Sequence, residues 1–416
     1  MFSNNRRAID WKLVGVGVAL QTIFGVLITK VARVAAAFNA ISAGFVRFLS
    51  FSADGARFLF GNLVNVDNFG FIFAFQVLPT VIFFSTVSAG LYYLGILQRI
   101  VYGIAWIMAR TMRLSGAESL SAAGNIFLGQ TEAPLLVKPF VPKMTQSELL
   151  CLMAGGMATI AGGVMAGYVK FLGGNDLNEQ AKFASYLLSA SIMNAPAAIV
   201  MSKILFPEKE YDKIDKRIQI NKENLGVNLI DAMSNGAADG LKLALNIGGM
   251  LLAFIAVIAM INYVLENFVG DTVGWNGLSL NQWIVQSTDG TFKGFSLEYL
   301  LGQLFRLVAW MMGVDWKDTL QVGSMLGQKT VINEFVAYLN LAKVKSEGML
   351  SSKSVVIATY ALCGFSNFSS IAIQIGGIGS MAPTRQGDLS KLGFRALLAA
   401  SLACMMTGTI AGVLIH

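Results

Sequence analysis

Seven long apolar stretches run through the chain without an acidic or basic side chain in their centres: residues 13–29, 68–98, 149–169, 183–202, 243–265, 354–384 and 396–415. A helix needs about 20 such residues to cross about 30 Å of hydrocarbon, so the pattern predicts seven membrane spans. Two stretches, 68–98 and 354–384, are too long for one straight helix. The second carries Gly364, Ser366, Asn367, Ser369 and Ser370, then Gly376, Gly377 and Gly379. That composition fits a broken helix whose freed backbone groups line a cavity.

Two further apolar segments, 114–141 and 316–342, are too interrupted to span. Gly124, Gly129, Pro134 and Pro139 divide the first, and Gly323 and Gly327 the second. Each splits into limbs of roughly ten to thirteen residues around a polar tip, a length suited to a re-entrant segment. Both are expected to be helical hairpins. Leu128-Gly129-Gln130 recurs as Leu326-Gly327-Gln328, each followed by Thr and then Glu. After each hairpin come a Gly-rich span and another span, so the chain reads as an internal repeat. Such repeats in transporters are often inverted, with the substrate held between them.

Residues 33–50 and 297–313 are apolar but carry Arg47 and Arg306, and are expected to lie in the membrane interface. Residues 207–223 are the most charged part of the chain and read as a solvated loop or surface helix without chemistry. The architecture expected is therefore an all-α polytopic membrane protein. It has about seven spans, two re-entrant helical hairpins in inverted repeats, and interfacial helices.

Composition agrees. Of 416 residues, 55% are hydrophobic and 13% charged, against about 25% charged in soluble domains. The net charge of +7 suits anionic lipid headgroups, and no basic run interleaved with aromatics points to nucleic acid. The bilayer is the expected partner. If the N-terminus is cytoplasmic, most of the 31 Lys and Arg fall on the inner side, as the positive-inside rule requires. The start of the chain lacks the apolar core of a signal peptide. The sole histidine is His416, which excludes histidine catalysis and histidine-bound zinc. Cys151, Cys363 and Cys404 lie in apolar stretches without metal-ligand spacing and read as packing residues.

The informative chemistry is Gly124-Asn125-Ile126-Phe127-Leu128-Gly129-Gln130-Thr131-Glu132. A carboxylate in mid-bilayer costs at least ~2.5–3.5 kcal/mol, so Glu132 needs a partner: another residue, an ion or a polar substrate. A matching cluster follows at Gln328, Lys329, Thr330, Asn333 and Glu334. Two such clusters point to a transporter with a polar site near the midplane. No GxxxxGK[ST] phosphate loop is present, so an ion gradient would supply the energy. There is no HExxH or GxSxG, which argues against an intramembrane enzyme; a channel lined by both hairpins is the other rival.

Three stretches carry a resemblance. Residues 124–149 (GNIFLGQTEAPLLVKPFVPKMTQSEL), 333–338 (NEFVAY) and 361–373 (ALCGFSNFSSIAI) resemble the signatures of the concentrative nucleoside transporters, over nearly the whole chain in order and spacing. The resemblance implies a sodium- or proton-driven nucleoside symporter and a homotrimer. It implies a scaffold (1–113 and 241–313) and a mobile transport domain made of repeats 114–205 and 314–416, separated by a charged cytoplasmic loop at 206–240. Within the repeats the hairpins are 114–141 and 316–342, the broken helices 149–169 and 354–384, and the closing helices 183–205 and 392–416. Bacterial members usually carry one more helix before the stretch matching residues 3–9. Seven spans rather than eight are therefore expected, with the N-terminus cytoplasmic and the C-terminus periplasmic in a bacterial inner membrane.

The resemblance also assigns roles. Gln130, Thr131 and Glu132 match residues that hold the nucleobase. Glu334 matches the carboxylate on the ribose hydroxyls, with Asn367 and Ser370 as companions. Val164 and Phe365 match apolar contacts to the base. Asn125, Leu128, Thr159 and Ile160 match the site of the co-transported sodium, two through side-chain oxygens and two through backbone carbonyls, as a hard cation prefers. Plainer readings stand beside these. The tip 130–132 could merely cap half-helices, Glu334 could pair with Lys329 or Lys343, and Val164 and Phe365 could be packing. Glu118, Lys138 and Lys143 read as solvated or snorkelling anchors. Coupling through a proton on Glu132 or Glu334 is the alternative to sodium.

Overall fold

The computed structural model describes residues 3–70, 72–218, 226–275 and 277–415. Part of the charged stretch (219–223) and His416 lie outside the described residues. The α-helices of eight or more residues, in chain order, begin with α1 (Trp11–Lys30), α2 (Ala32–Ser50), α3 (Ser52–Phe60), α4 (Leu78–Tyr93) and α5 (Ile96–Met112). Then come α6 (Gly116–Gly124), α7 (Gln146–Ala158), α8 (Gly162–Gly173), α9 (Leu177–Leu205) and α10 (Leu229–Val264). The rest are α11 (Leu280–Ser287), α12 (Leu297–Met311), α13 (Thr319–Val331), α14 (Glu334–Ser346), α15 (Ser352–Leu362), α16 (Phe368–Met381) and α17 (Gln386–Leu414). Among the described residues the only sheet is the two-residue pair Gly274–Trp275 with Leu278–Ser279, so the chain is all-α in class.

Side chains set where these helices start. Asp10 accepts from the N–H groups of Lys12 and Leu13 at the head of α1. Ser115 with Glu118 and Thr145 with Glu148 form reciprocal capping boxes at α6 and α7. Each satisfies N–H groups that a helix start leaves without a partner. Buried helix starts need this most, because no water reaches them.

By length and apolar composition, seven runs among the described residues can cross a membrane: Trp11–Lys30, Ala32–Val64, Phe73–Tyr93, Gln146–Gly173, Leu177–Leu205, Leu229–Gly270 and Pro383–Leu414. The number agrees with expectation, but the membership differs in two places. The stretch 33–50, expected in the interface, is α2, and with α3 and the turn to Val64 it makes a run long enough to span. It is not one rod, because the helix is interrupted at Phe51 and again at Gly61. Conversely, 354–384 is not one span but α15 and α16, of 11 and 14 residues, separated by a non-helical break.

The hairpins differ from each other. In the second, α13 and α14 are two α-helical limbs meeting at Ile332 and Asn333. In the first, only the outgoing limb α6 is α-helical; the return runs through the 3-10 turns Ala133–Val137 and Val141–Lys143. Pro134, Pro139 and Pro142 explain this, since each removes an N–H and clashes with the preceding turn. After the hairpins, the order of broken helix then long helix holds in both halves: α7–α8 then α9, and α15–α16 then α17.

The spans fall into two kinds. The run Gln146–Gly173 is almost wholly buried and α9 largely so, whereas few residues of α1, α4 and α10 are fully buried. The buried set forms two apolar clusters, one around α6, α7 and α17, the other around α8, α14 and α15, with α9 in both. On the exposed side, α10 lies against α4 through Gly236 and Gly240. A Cβ on Gly240 would sit 2.9 Å from Ile82 Cα, so only glycine permits this approach.

Candidate functional site

The two helix breaks meet. α7 stops at Ala158 and α8 resumes at Gly162; α15 stops at Leu362 and α16 resumes at Phe368. The Phe365 N–H donates to the Thr159 carbonyl (3.3 Å), joining the breaks directly. Asn194 Nδ2, fully buried on α9, donates to the carbonyls of both Ala158 and Cys363, each at 2.7 Å. Cys404 Sγ on α17 touches the same two carbonyls at 3.4 and 3.2 Å. Carbonyls freed by unwinding in an apolar interior need such donors. Sequence reading gave no role to Asn194 and saw Cys404 as packing.

A hydrogen-bonded chain crosses this junction. Tyr168 Oη donates to Glu334 Oε1 (3.0 Å), and Asn367 Nδ2 donates to Glu334 Oε2 (2.8 Å). Asn367 Oδ1 accepts from the Ser370 N–H (2.9 Å), capping α16. Ser370 Oγ accepts from Gln130 Nε2 (3.2 Å). Gln130 Oε1 accepts from Gln374 Nε2 (3.4 Å), which also donates to the Met153 carbonyl (3.1 Å). Gln130, Ser370, Asn367 and Glu334 were expected to act together, and the structure joins them through both repeats. Tyr168 and Gln374 were missed: in sequence each is an ordinary residue on an apolar helix.

The arrangement has spare capacity. A carboxylate offers about four acceptor positions, and Glu334 uses one on each oxygen. The Ser370 hydroxyl accepts from Gln130 and keeps its own hydrogen to donate. Glu334 is buried at the start of α14 and Asn367 at the start of α16, so two helix N-termini also point into the site. No ion pair with Lys329 or Lys343 is seen among the described residues; Lys329 Nζ instead donates to the Ala361 carbonyl (2.8 Å).

The four residues matched to the ion cluster around the same break. Asn125 is fully buried at the end of α6, and neither its Oδ1 nor its Nδ2 has a hydrogen-bond partner. Its amide lies against Gly155, where an added Cβ would come within 3.1 Å of Nδ2. The Gly155 carbonyl accepts from Thr159 Oγ1 (2.9 Å), which leaves the hydroxyl's lone pairs free to ligate. Leu128 and Ile160 lie on the non-helical segments 125–132 and 159–161, and the two segments are joined by Gly162 N–H to Phe127 carbonyl (3.2 Å). A buried amide without partners beside a hydroxyl and unwound carbonyls is a donor set suited to a hard monovalent cation.

Other expected residues stand apart from the chain. Thr131 is half-buried beside Gly377. Glu132 accepts locally from the Gly129 N–H (2.9 Å) and otherwise faces a cavity of about 170 Å³ that Asp239, Ser85 and Phe84 also line. Val164 and Phe365 are buried in the apolar cluster that holds Ile160 and Tyr168. Glu118 corrects its expectation. It is buried and ion-paired with Lys203, because both sit where the base of the first hairpin packs against the end of α9.

Broken helices crossing at a polar, buried junction fit a membrane transporter, and the comparisons identify which kind. The family description "Na+ dependent nucleoside transporter" matches residues 1–63 with its N-terminal model and 186–412 with its C-terminal model, and "Nucleoside recognition" matches 74–175. An uncharacterized transporter of Haemophilus influenzae is 42% identical over all of this chain and 94% of its own length. Mouse solute carrier family 28 member 3 is 40% identical over all of this chain, which spans 56% of that relative. The structure of CNTnw in an inward-facing substrate-bound state is 38% identical, with TM-score 0.87, covering 100% of this chain and 95% of that one. An outward-facing variant of CNTnw gives TM-score 0.86 at 37% identity, covering 99% of this chain and 93% of that one. The chain belongs to the Na+-dependent nucleoside transporter family.

Proposed function

We propose that this protein is a sodium-coupled symporter that carries ribonucleosides such as uridine into the cell, and that it works as a homotrimer in a bacterial inner membrane. The two repeats form a transport domain that moves against the scaffold, exposing one site alternately to each side in an elevator motion. Sodium enters as cargo at Asn125, Thr159, Leu128 and Ile160. The nucleoside lies along the hydrogen-bonded chain, with its base toward Gln130, Thr131 and Glu132 and its ribose toward Glu334, Asn367 and Ser370. Val164 and Phe365 flank the base. In this reading the N-terminus is cytoplasmic and the C-terminus periplasmic.

The observation that carries this reading is Asn125, a fully buried amide with both polar atoms unpartnered. Leaving the acceptor Oδ1 unpaired costs about 1–3 kcal/mol unless a ligand satisfies it, and Oδ1 is the atom that sodium would engage. Occupation by sodium would organise the first hairpin tip and thereby favour nucleoside binding, which is the coupling a symporter needs. A second reading, coupling to protons, is favoured by Glu132 facing Asp239 across the cavity. Uptake of radiolabelled uridine into proteoliposomes separates the two. Accumulation under an inward sodium gradient supports sodium coupling, and accumulation under a proton gradient alone overturns it.

A further inference from the structure

We propose that Gln374 fixes the hydrogen-bond polarity of Gln130 and thereby determines which nucleobase edge the protein prefers. This rests on the reading of Gln130 as a contact to the base. A glutamine amide has two orientations that exchange its donor and its acceptor. Here the exchange is blocked from one end. The Met153 carbonyl can only accept, so the atom of Gln374 that faces it is Nε2 (3.1 Å). The same Nε2 faces Gln130 at 3.4 Å, so the facing atom of Gln130 is its oxygen. Gln130 Nε2 must then point at Ser370 Oγ, as it does at 3.2 Å.

One carbonyl thus sets the polarity of two amides and a hydroxyl. Gln130 keeps one N–H and one lone pair, each in a fixed place, for whatever lies in the site. Gln374 is fully buried and reaches this position over Gly156, where a Cβ would come within 2.6 Å of Nε2 and 3.2 Å of Gln130 Cβ. Uracil and cytosine edges differ by just such an exchange: N3–H with a C4 carbonyl against N3 with a C4 amine. Gln374 is accordingly a positioning residue whose effect falls on selectivity.

The test is KM and maximal rate for uridine and for cytidine in proteoliposomes, in wild type, Gln374→Met and Gly156→Ala. Methionine keeps the volume and removes the amide; alanine displaces the amide without removing it. The expected result is a change of about 3–10-fold in the uridine-to-cytidine KM ratio in either variant, the effect of one hydrogen bond. Maximal rates should move less than the ratio. A ratio unchanged from wild type, in whichever variant folds and transports, overturns the inference and leaves the transport reading standing. Uptake of neither nucleoside by the wild type overturns the reading of the site and the inference with it.

Discussion

Asn367 Nδ2 donates to Glu334 Oε2 at 2.8 Å and so ties the start of α16 to the start of α14. The same Asn367 caps α16 through its oxygen, which fixes the amide and leaves the carboxylate facing a donor on each side, Asn367 and Tyr168. Two helix starts and two neutral donors hold Glu334 as an acceptor for hydroxyl groups. Glu334→Gln keeps the shape but places an N–H where an acceptor was. Uridine uptake efficiency should fall by roughly 10–100-fold, the range for a hydrogen bond to a charged group. A 2′,3′-dideoxynucleoside should lose much less, since it brings no hydroxyls to be accepted. Equal losses for both would contradict a ribose role.

Asn194 should be a structural keystone. Its Nδ2 satisfies one unwound carbonyl in each broken helix. Asn194→Leu leaves both to the single weak thiol donor of Cys404, so at least one is stranded, at roughly 1–3 kcal/mol. The expected result is a large drop in the thermal midpoint of the detergent-solubilised protein. A midpoint equal to wild type would mean that the crossing is held without the Asn194 amide, by packing, the Cys404 thiol and the Phe365–Thr159 backbone bond.

Lys203 should show the asymmetry of a buried ion pair. It is buried against Glu118 and also donates to Ser147 Oγ (2.9 Å). Lys203→Met leaves Glu118 uncompensated, a loss of about 3–5 kcal/mol. The double change Lys203→Met with Glu118→Gln should recover part of it. A double variant that melts at or below the single one would show that the lysine acts through Ser147 or Glu208 instead.

Glu208 gives a pH dependence with a definite sign. Burial pushes its carboxyl up, but the Glu210 and Lys209 N–H groups, the Thr145 hydroxyl (2.7 Å) and Lys203 together outweigh burial and hold it below the usual carboxylate range. A depressed carboxylate contributes stability above its unfolded pKa of about 4.3 and loses it as pH falls through the folded value. Glu208→Gln should therefore lower the melting temperature at pH 7, with the gap to wild type closing below about pH 4. A gap that is the same at both pH values would contradict the assignment.

Much of this molecule was legible because polar residues inside apolar runs are expensive and therefore conspicuous. Gln130, Glu334, Asn367 and Ser370 announced themselves that way, and the structure brings them into one chain. Asn125 and Thr159 were placed by resemblance, and Asn125 then proved to be an amide without partners. What escaped was of two kinds. Tyr168 and Gln374 act through partners 166 and 244 residues away, a distance over which periodicity carries no information. Glu118 read as a solvated or snorkelling anchor, because sequence shows charge but not the neighbour, here Lys203, that neutralises it. Element boundaries failed where backbone chemistry is local: prolines turned the first hairpin's return limb into 3-10 turns, and Arg47 made 33–50 read as interfacial where α2 and α3 together form a run long enough to span.

The central claim is that sodium binds at Asn125 and that its binding is linked to that of the nucleoside. The direct test is the affinity for uridine of purified protein as sodium is titrated against potassium at constant ionic strength, for wild type and Asn125→Ala side by side. The account predicts that wild-type affinity rises with sodium, and that the alanine variant binds uridine with an affinity that responds to sodium weakly or not at all. Wild-type affinity indifferent to sodium, or an unchanged sodium response in the variant, would contradict it.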